Sequence, residues 1–433
     1  MYKSLLEKIN SKNAKIGVIG QGYVGLPLSC QLAKQGFSVA GFEVDESKVK
    51  MINSGKSYIG DVSSKDLKEL VDTKKLSADT NFKNLSHMDV LIICVPTPLR
   101  KSKDPDVSCV LEAAKNVRKT LKKGQLIILE STTYPGTTEE LVLPVLEETG
   151  LVVGKDFFLA FSPERIDPAN KKFGIKNTPK VVGGMCAKCA GLALAVYSSF
   201  TEVYKVSSTQ AAEMVKLLEN TFRAVNIALV NEVALMCDKL NLNVWEIIDA
   251  ASTKPFGFMP FYPGPGIGGH CIPLDPHYLS WKLKTVNFYS RFIDLAGDLN
   301  AKMPGYVVSK LQDALNARSK ALKNAKILIL GVAYKKDVSD GRESPAIDVI
   351  NILIEKMANV FYYDAHVPVV KNCVYSKILS SLSNLNNLNK FDAVVVVTDH
   401  SDVDYKKVLK DAKVIVDTRN VFKNVKSSKI VRI

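Results

Sequence analysis

At 433 residues the chain exceeds the length over which one hydrophobic core keeps growing, so it divides into two or three domains. Its 46% hydrophobic and 24% charged residues are ordinary for a globular protein; no run of 18 apolar residues marks a membrane span, and Met1 to Lys15 lacks the apolar core of a secretory signal. The net charge of +14 comes from scattered lysine pairs without a dense basic run or interleaved aromatics, which argues against nucleic acid and fits either attraction of small phosphorylated molecules or a lysine-rich proteome.

Eight cysteines (30, 94, 109, 186, 189, 237, 271, 373) lie mostly in apolar segments and do not read as a disulfide framework, so a reducing cytoplasm is expected. Cys186-Ala187-Lys188-Cys189 has neither a second pair nor spaced histidines to complete a zinc site, and no metal is expected.

Lys15 to Ile19 is a short apolar strand running into Gly20-Gln21-Gly22-Tyr23-Val24-Gly25 and then a helical pattern from Leu28 to Gln35. In that setting Gly20 permits the tight turn, Gly22 lets backbone approach a pyrophosphate, Gly25 allows close helix packing, and the helix N-terminus holds the anion. The next strand, Phe37 to Phe42, ends in Glu43 and Asp45, about 20 residues past the glycines, where a carboxylate binds the ribose hydroxyls and favours NAD over NADP. Lys48 nearby softens that exclusion.

Asp89 to Val95 and Gln125 to Leu129 are further buried strands, followed by Pro96-Thr97-Pro98 and Glu130-Ser131-Thr132-Thr133. An open α/β sheet binds ligands at such carboxyl ends. Thr97 reads equally as a cap of the next element or as a cofactor contact. Phe158 to Phe161 leads into a third such loop, Ser162-Pro163-Glu164-Arg165-Ile166-Asp167-Pro168.

From Thr209 to Lys239 no glycine or proline interrupts an apolar pattern at helical spacing and nearly all round, so a long buried helix is predicted. Lys216, Asn220 and Arg223 fall on one face of it. Each needs a partner to offset its desolvation, either a ligand or, for Lys216, an ion pair with Glu213. A helix of this length between two α/β domains is also a natural dimer interface.

Gly264-Pro265-Gly266-Ile267-Gly268-Gly269-His270-Cys271-Ile272-Pro273-Leu274-Asp275 has too much glycine and proline for helix or central strand and offers a thiol and a carboxylate four residues apart. A thiol in such a loop is a nucleophile for a carbonyl carbon if a neighbour activates it, or else a small buried hydrophobe. Tyr278 and Lys282 have the Tyr-x-x-x-Lys spacing of short-chain dehydrogenases, but in the wrong setting. From Asn324 onward a second βαβ series begins, with strands at Ala325 to Leu330, Val360 to Tyr363, Ala393 to Val397 and Lys413 to Val416 and a helix from Ala346 to Met357. It lacks the three-glycine fingerprint, and its first loop offers Lys335, Lys336 and Arg342, suited to a nucleotide diphosphate other than the cofactor. The fold class is therefore α/β: two Rossmann-like parallel-sheet domains, 1–206 and 319–433, joined by a central helical domain, 207–318, carrying the cysteine loop.

These motifs together, with Glu130-Ser131-Thr132, Ser162-Pro163-Glu164, Ala212-Glu213-Met214-Val215-Lys216 through Asn220, Gly268-Gly269-His270-Cys271, Lys335-Lys336-Asp337 and Gly341-Arg342-Glu343-Ser344, resemble the nucleotide-sugar 6-dehydrogenases of the UDP-glucose/UDP-N-acetylhexosamine family over essentially the whole chain. The resemblance implies oxidation of a sugar C6 alcohol to a carboxylate with two NAD, through an aldehyde, a thiohemiacetal and a thioester on Cys271, in surface polysaccharide or glycan precursor synthesis. It assigns Lys216 and Asn220 to oxyanion stabilisation, and Asp275, Thr132 and Glu164 to water and proton handling. NAD falls to Gly20, Gln21, Gly22, Tyr23, Val24, Gly25, Glu43, Asp45, Lys48, Thr97, Thr132 and Arg342. The UDP-sugar falls to Glu164, Arg165, Lys216, Asn220, Arg223, Gly268, Lys335 and Arg419. Leu274 stands where the UDP-glucose enzymes carry a lysine, and Asp167-Pro168 where they carry a second glutamate. Both departures, with Thr253 to Phe258 and Phe261 to Pro263, point to the branch acting on UDP-N-acetylglucosamine or its epimers. UDP-glucose oxidation and a catalytically silent nucleotide-sugar binder are the alternatives, and a homodimer or higher homo-oligomer is expected.

Overall fold

Strand residues alternate between two buried faces in each half of the chain. In the computed structural model, Ile16, Val18, Ile92, Ile128 and Phe158 join one apolar core while Ile19, Ile93, Ile127, Leu129 and Phe161 join another. A sheet buried on both faces is what helices on both sides of parallel strands produce. Each such side chain contributes about 1.5–3 kcal/mol on leaving water. The structure describes residues 1–433 except 101–103, 168, 169, 171, 270 and 371–378. Pro168, His270 and Cys373 therefore lie outside the described residues.

The chain divides into two compact units, Met1–Glu219 with His277–Phe288, and Asn220–Pro276 with Tyr289–Ile433. The first holds β1 (Lys15–Ile19), β2 (Ser38–Phe42), β3 (Leu76–Asp79), β4 (Val90–Ile93), β5 (Leu126–Leu129), β6 (Phe158–Phe161), β7 (Lys180–Gly184) and β8 (Val203–Lys205). Their order in the sheet is β3-β2-β1-β4-β5-β6-β7-β8, parallel except where β7 runs against β6. The second unit holds β9 (Lys326–Leu330), β10 (Asn359–Tyr363), a two-residue ribbon of β11 (Val369–Val370) and β12 (Leu379–Ser380), β13 (Ala393–Val396), β14 (Ile415–Asp417) and β15 (Ile430–Arg432). Its main sheet is parallel in the order β10-β9-β13-β14-β15, with Ile327 and Ile329 on one face and Leu328 and Leu330 on the other. Among the described residues no helix is long and apolar enough to cross a membrane.

The long helix spans Thr209–Leu240. It is not buried all round: Met214, Leu218, Phe222, Leu229, Met236 and Leu240 are exposed at steps of four or seven, a single apolar stripe along one side. Periodicity identified the helix, but two apolar faces look alike in a sequence whether one or both are covered. The Tyr278 and Lys282 pair is structural. Tyr278 donates its hydroxyl to the Thr97 carbonyl at 2.6 Å, and Lys282 pairs with Glu140 at 2.6 Å.

Candidate active site

The first unit builds a dinucleotide cradle. Gly20 has φ +89°, and a Cβ there would lie 2.6 Å from the Cys94 carbonyl; a Cβ on Gly25 would lie 1.8 Å from the Gly20 carbonyl. Around Gly22 a Cβ would meet nothing within 4 Å, so the backbone is open on the side where a pyrophosphate approaches. The helix Gly25–Lys34 begins without a side-chain cap at Val24; the Leu26 N–H donates to the Gly22 carbonyl at 3.2 Å and Pro27 has no N–H, so in its first turn the Gly25 N–H is the one left for an anion. These features fit NAD, which supplies hydride acceptance when bound. Tyr23 is exposed beside the cradle, and Gln21 is buried with its amide donating to the Val18 carbonyl at 2.9 Å. Tyr58, which no motif marked, donates to the Gln21 carbonyl at 2.6 Å and braces the loop.

Glu43 is 7% exposed; it accepts from the Gln21 N–H at 3.0 Å and lies 3.7 Å from the Lys48 ammonium. Asp45 is committed differently from the expected ribose role. Its carboxylate caps the helix Glu46–Asn53, accepting from the Ser47 N–H at 2.8 Å and hydroxyl at 2.6 Å. Glu43→Ala is expected to weaken NAD binding about tenfold or more in a fluorescence titration, the loss of one charge-assisted hydrogen-bond acceptor. Unchanged affinity would remove Glu43 from the ribose.

Behind the cradle, Ser131 donates to the Val95 carbonyl at 2.8 Å and ties two strand-end loops together. Thr132 is half-buried, and its hydroxyl makes no hydrogen bond among the described residues. Glu164 accepts from the N–H groups of Arg165 and Ile166, both at 2.7 Å, and pairs with Lys180 at 3.2 Å. Burial pushes the Glu164 carboxyl up, but the Lys180 charge, the Ile166 N–H and the Lys216 charge outweigh it and hold it below its ordinary range. Arg165 is occupied with Glu219 at 2.6 Å and the Pro179 carbonyl at 2.6 Å.

Lys216 is only 8% exposed, yet it makes no hydrogen bond or ion pair among the described residues. Glu213 does not pair with it. That carboxylate accepts instead from the N–H groups of Gly136 at 2.6 Å and Thr138 at 2.9 Å and from the Thr138 hydroxyl, and burial pushes its pKa up to about 7. The ammonium end is not sealed from solvent, and its charge acts on the Glu164 carboxylate.

In the second unit, Asn220 is 5% exposed and donates its amide to the buried Asp275 carboxylate. Asp275 opens the helix Asp275–Lys284, its N–H bonded back to the Cys271 carbonyl at 2.9 Å, and Cys271 is exposed on that turn. The glycine loop is irregular, as its composition requires. Asn231, a buried amide that sequence reasoning passed over, accepts from the Gly264 N–H at 2.9 Å and donates to Asn300 at 2.9 Å. A Cβ on Gly268 would lie 2.8 Å from the Glu343 carbonyl, so only glycine lets these backbones meet. Arg419 reaches the same loop: its Nε donates to the Val397 carbonyl at 2.8 Å, and a Cβ on Gly264 would sit 2.9 Å from its guanidinium. Lys335 is half-buried. Arg342 grips Asp340 through Nε and Nη2 at 2.9 and 2.7 Å, and Arg223 is exposed on the helix rather than buried beside Lys216 and Asn220.

One cluster was not legible in the sequence. Asp337, His366, His400 and Asp402 bring possible metal-ligand atoms within 4.8 Å of one another. His400, however, is committed within the fold: Nδ1 accepts from the Asp337 N–H at 3.0 Å and Nε2 faces Asp364 at 3.0 Å. Burial pushes Asp364 up, but His400 and the Val332 and Ala333 N–H groups hold it down to about 2. The cluster stitches the loop carrying Lys335 to its neighbours.

Family models match most of the chain in three consecutive parts: the NAD binding domain of the UDP-glucose/GDP-mannose dehydrogenase family over residues 14–201, its central domain over 210–302 and its UDP binding domain over 328–424. The chain is 34% identical over 394 residues to the UDP-N-acetyl-D-glucosamine 6-dehydrogenase of Pseudomonas aeruginosa, covering 90% of this chain and 92% of that protein. It is 36% identical over 417 residues to the UDP-N-acetyl-D-mannosamine dehydrogenase of Pyrococcus horikoshii, covering 94% and 96%. A solved structure of UDP-D-ManNAc dehydrogenase from Pyrococcus horikoshii superimposes with a TM-score of 0.88 at 35% identity, over 97% of this chain and 99% of that one. With the cradle, the cysteine loop and the second nucleotide-binding sheet all present, the chain belongs to the UDP-glucose/GDP-mannose dehydrogenase family, NAD-dependent dehydrogenases of nucleotide sugars.

Proposed function

We propose that the protein oxidises the C6 alcohol of a UDP-N-acetylhexosamine, first UDP-N-acetylglucosamine, to the uronate in two successive two-electron steps. The observation that carries this reading is Lys216, a largely buried side chain with no hydrogen bond or ion pair among the described residues, one helical turn before Asn220, whose amide holds the carboxylate four residues beyond Cys271. In the first step the alcohol loses a proton and a hydride to become the aldehyde. The Cys271 thiolate then adds to the aldehyde carbon, the thiohemiacetal loses the second hydride to become a thioester, and water releases the carboxylate and restores the thiol. Lys216 acts as acid/base and oxyanion donor, with Asn220 supporting it, and Thr132, Glu164 and Asp275 handle water and protons.

In this reading residues 1–206 bind NAD, 207–318 form the central domain and 319–433 bind the UDP moiety, with Arg419 and Lys335 as anion partners. Glu164, Arg165, Arg223 and Gly268 complete the sugar-nucleotide set, and Arg342 with Thr97 serves NAD. UDP-N-acetylmannosamine is the second reading, favoured by the relatives of that name at similar identity. The test is NADH formation with UDP-N-acetylglucosamine, UDP-N-acetylmannosamine, UDP-N-acetylgalactosamine and UDP-glucose. A kcat/KM at least about tenfold higher for an N-acetylhexosamine than for UDP-glucose is expected, the discrimination one pocket contact supplies. Preference for UDP-glucose would overturn the proposed substrate class, and no NADH with any of them would restore the silent binder.

The exposed stripe on the helix Thr209–Leu240 supports a second copy of this chain as its cover. Sedimentation is expected to show a homodimer that Leu218→Glu with Phe222→Glu shifts to monomer, and a wild-type monomer at assay concentration would refute it.

A further inference from the structure

The chemistry above leaves unused a buried group beneath the ends of β5 and β6. Lys180, at the start of β7, is 4% exposed, and its ammonium lies 3.1 Å from Glu130 Oε1 and 3.2 Å from Glu164 Oε2. The Tyr197 ring lies 4.9 Å from that ammonium, and the Tyr197 hydroxyl donates to Glu130. Glu130 Oε2 is buried with no hydrogen-bond partner among the described residues. One cation thus stands between two carboxylates, and the two carboxylates are not equal. Glu164 Oε1 is held by two backbone N–H groups, so Lys180 need satisfy only its other oxygen.

The charged and titratable groups facing Glu164 are Lys180 on β7 and Lys216 on the long helix, with Glu130 after β5, Cys94 after β4 and Tyr197 in the same buried cluster. Burial pushes Glu130 above the ordinary carboxylate range, whereas Glu164 is held below it. Burial would lower Lys180, but Glu130 and Glu164 hold it well above its usual value. Lys216 adds a positive field at Glu164 without pairing with it.

We propose that Lys180 is a positioning residue for the oxidation: it holds the Glu164 carboxylate from its buried side, which leaves the Lys216 ammonium uncommitted for the sugar. This deepens the functional reading above and rests on it. A lysine at the mouth of an apolar strand otherwise incurs a desolvation penalty with no return.

Lys180→Met is expected to move the acid limb of the kcat/KM–pH profile upward by about one unit or more, as a lost opposite charge does. It should lower kcat while the KM for NAD stays within about threefold. Lys180→Arg should bring the limb back. A limb unmoved in Lys180→Met, or displaced equally in Lys180→Arg, overturns the proposal, because a lysine that only fills space does not move a titration. If Lys180→Met fails to fold, Glu130→Gln decides. Relieved of the competing carboxyl, Lys180 serves Glu164 alone and the limb moves to lower pH, whereas an unmoved or raised limb overturns the proposal. A wild type that makes no NADH from any UDP-hexose defeats the functional reading instead. Carbon-13 carboxyl titration of Glu164, assigned with Glu164→Gln, then tests the Lys180 role alone through the same shifts.

Discussion

Cys271→Ala is expected to abolish uronate formation, by on the order of 10⁴-fold or more in turnover, while UDP-sugar affinity stays within about tenfold. The thiol is proposed to bond only to the reacting carbon, so its loss removes stabilisation of the reaction path and leaves ground-state contacts standing. Cys271 is exposed on the turn before Asp275, so removing its sulfur opens no cavity and folding should be unaffected. The measurement is the NADH and uronate yield per sugar in a single turnover, beside a thermal melt. Full uronate production by the variant would eliminate the thioester route, and a collapsed melt would make Cys271 a packing residue.

Lys216→Met should lower kcat about 100- to 1000-fold, the usual cost of deleting one preorganised oxyanion donor, with KM for the sugar nucleotide changed far less. The structure adds a second, opposite readout. Because Lys216 is buried without an ion pair among the described residues, its replacement by an apolar side chain of similar length should leave the melting temperature unchanged or raised. A lysine with a structural ion pair would behave the other way, with a lower melting temperature and nearly intact kcat. That outcome would transfer the oxyanion role away from Lys216.

Local spacing made much of this site legible. Gly20, Gly22 and Gly25 were readable because a tight turn, an open approach and a close packing each favour glycine at fixed offsets; the structure shows the tight turn at Gly20 and the close packing at Gly25, and open space around Gly22. Lys216 and Asn220 stood out because polar side chains inside a helical apolar pattern need a reason. Glu43 and Asp45 looked interchangeable, since distance along the chain cannot tell a carboxylate beside the glycine loop from one spent on a helix cap. Arg223 shared a predicted face with Lys216 and yet is exposed, about two helical turns further along.

The residues that were missed share one property: their partners are remote in sequence. Asn231 meets Gly264 and Asn300, and Tyr58 meets the Gln21 carbonyl. None forms a motif, because neither partner's position is set by backbone periodicity.

By itself the sequence determined the two βαβ series, the cofactor class, the cysteine loop and the family, all of which follow from short-range backbone geometry and residue chemistry. Only the tertiary structure decided which charges are satisfied: that Glu213 is taken by two backbone N–H groups, that Lys180 stands between Glu130 and Glu164, and that Lys216 is left without a hydrogen bond or ion pair among the described residues. Burial and pairing depend on which strand ends and helix faces meet, and the energy of a charge depends on those neighbours rather than on its place in the chain.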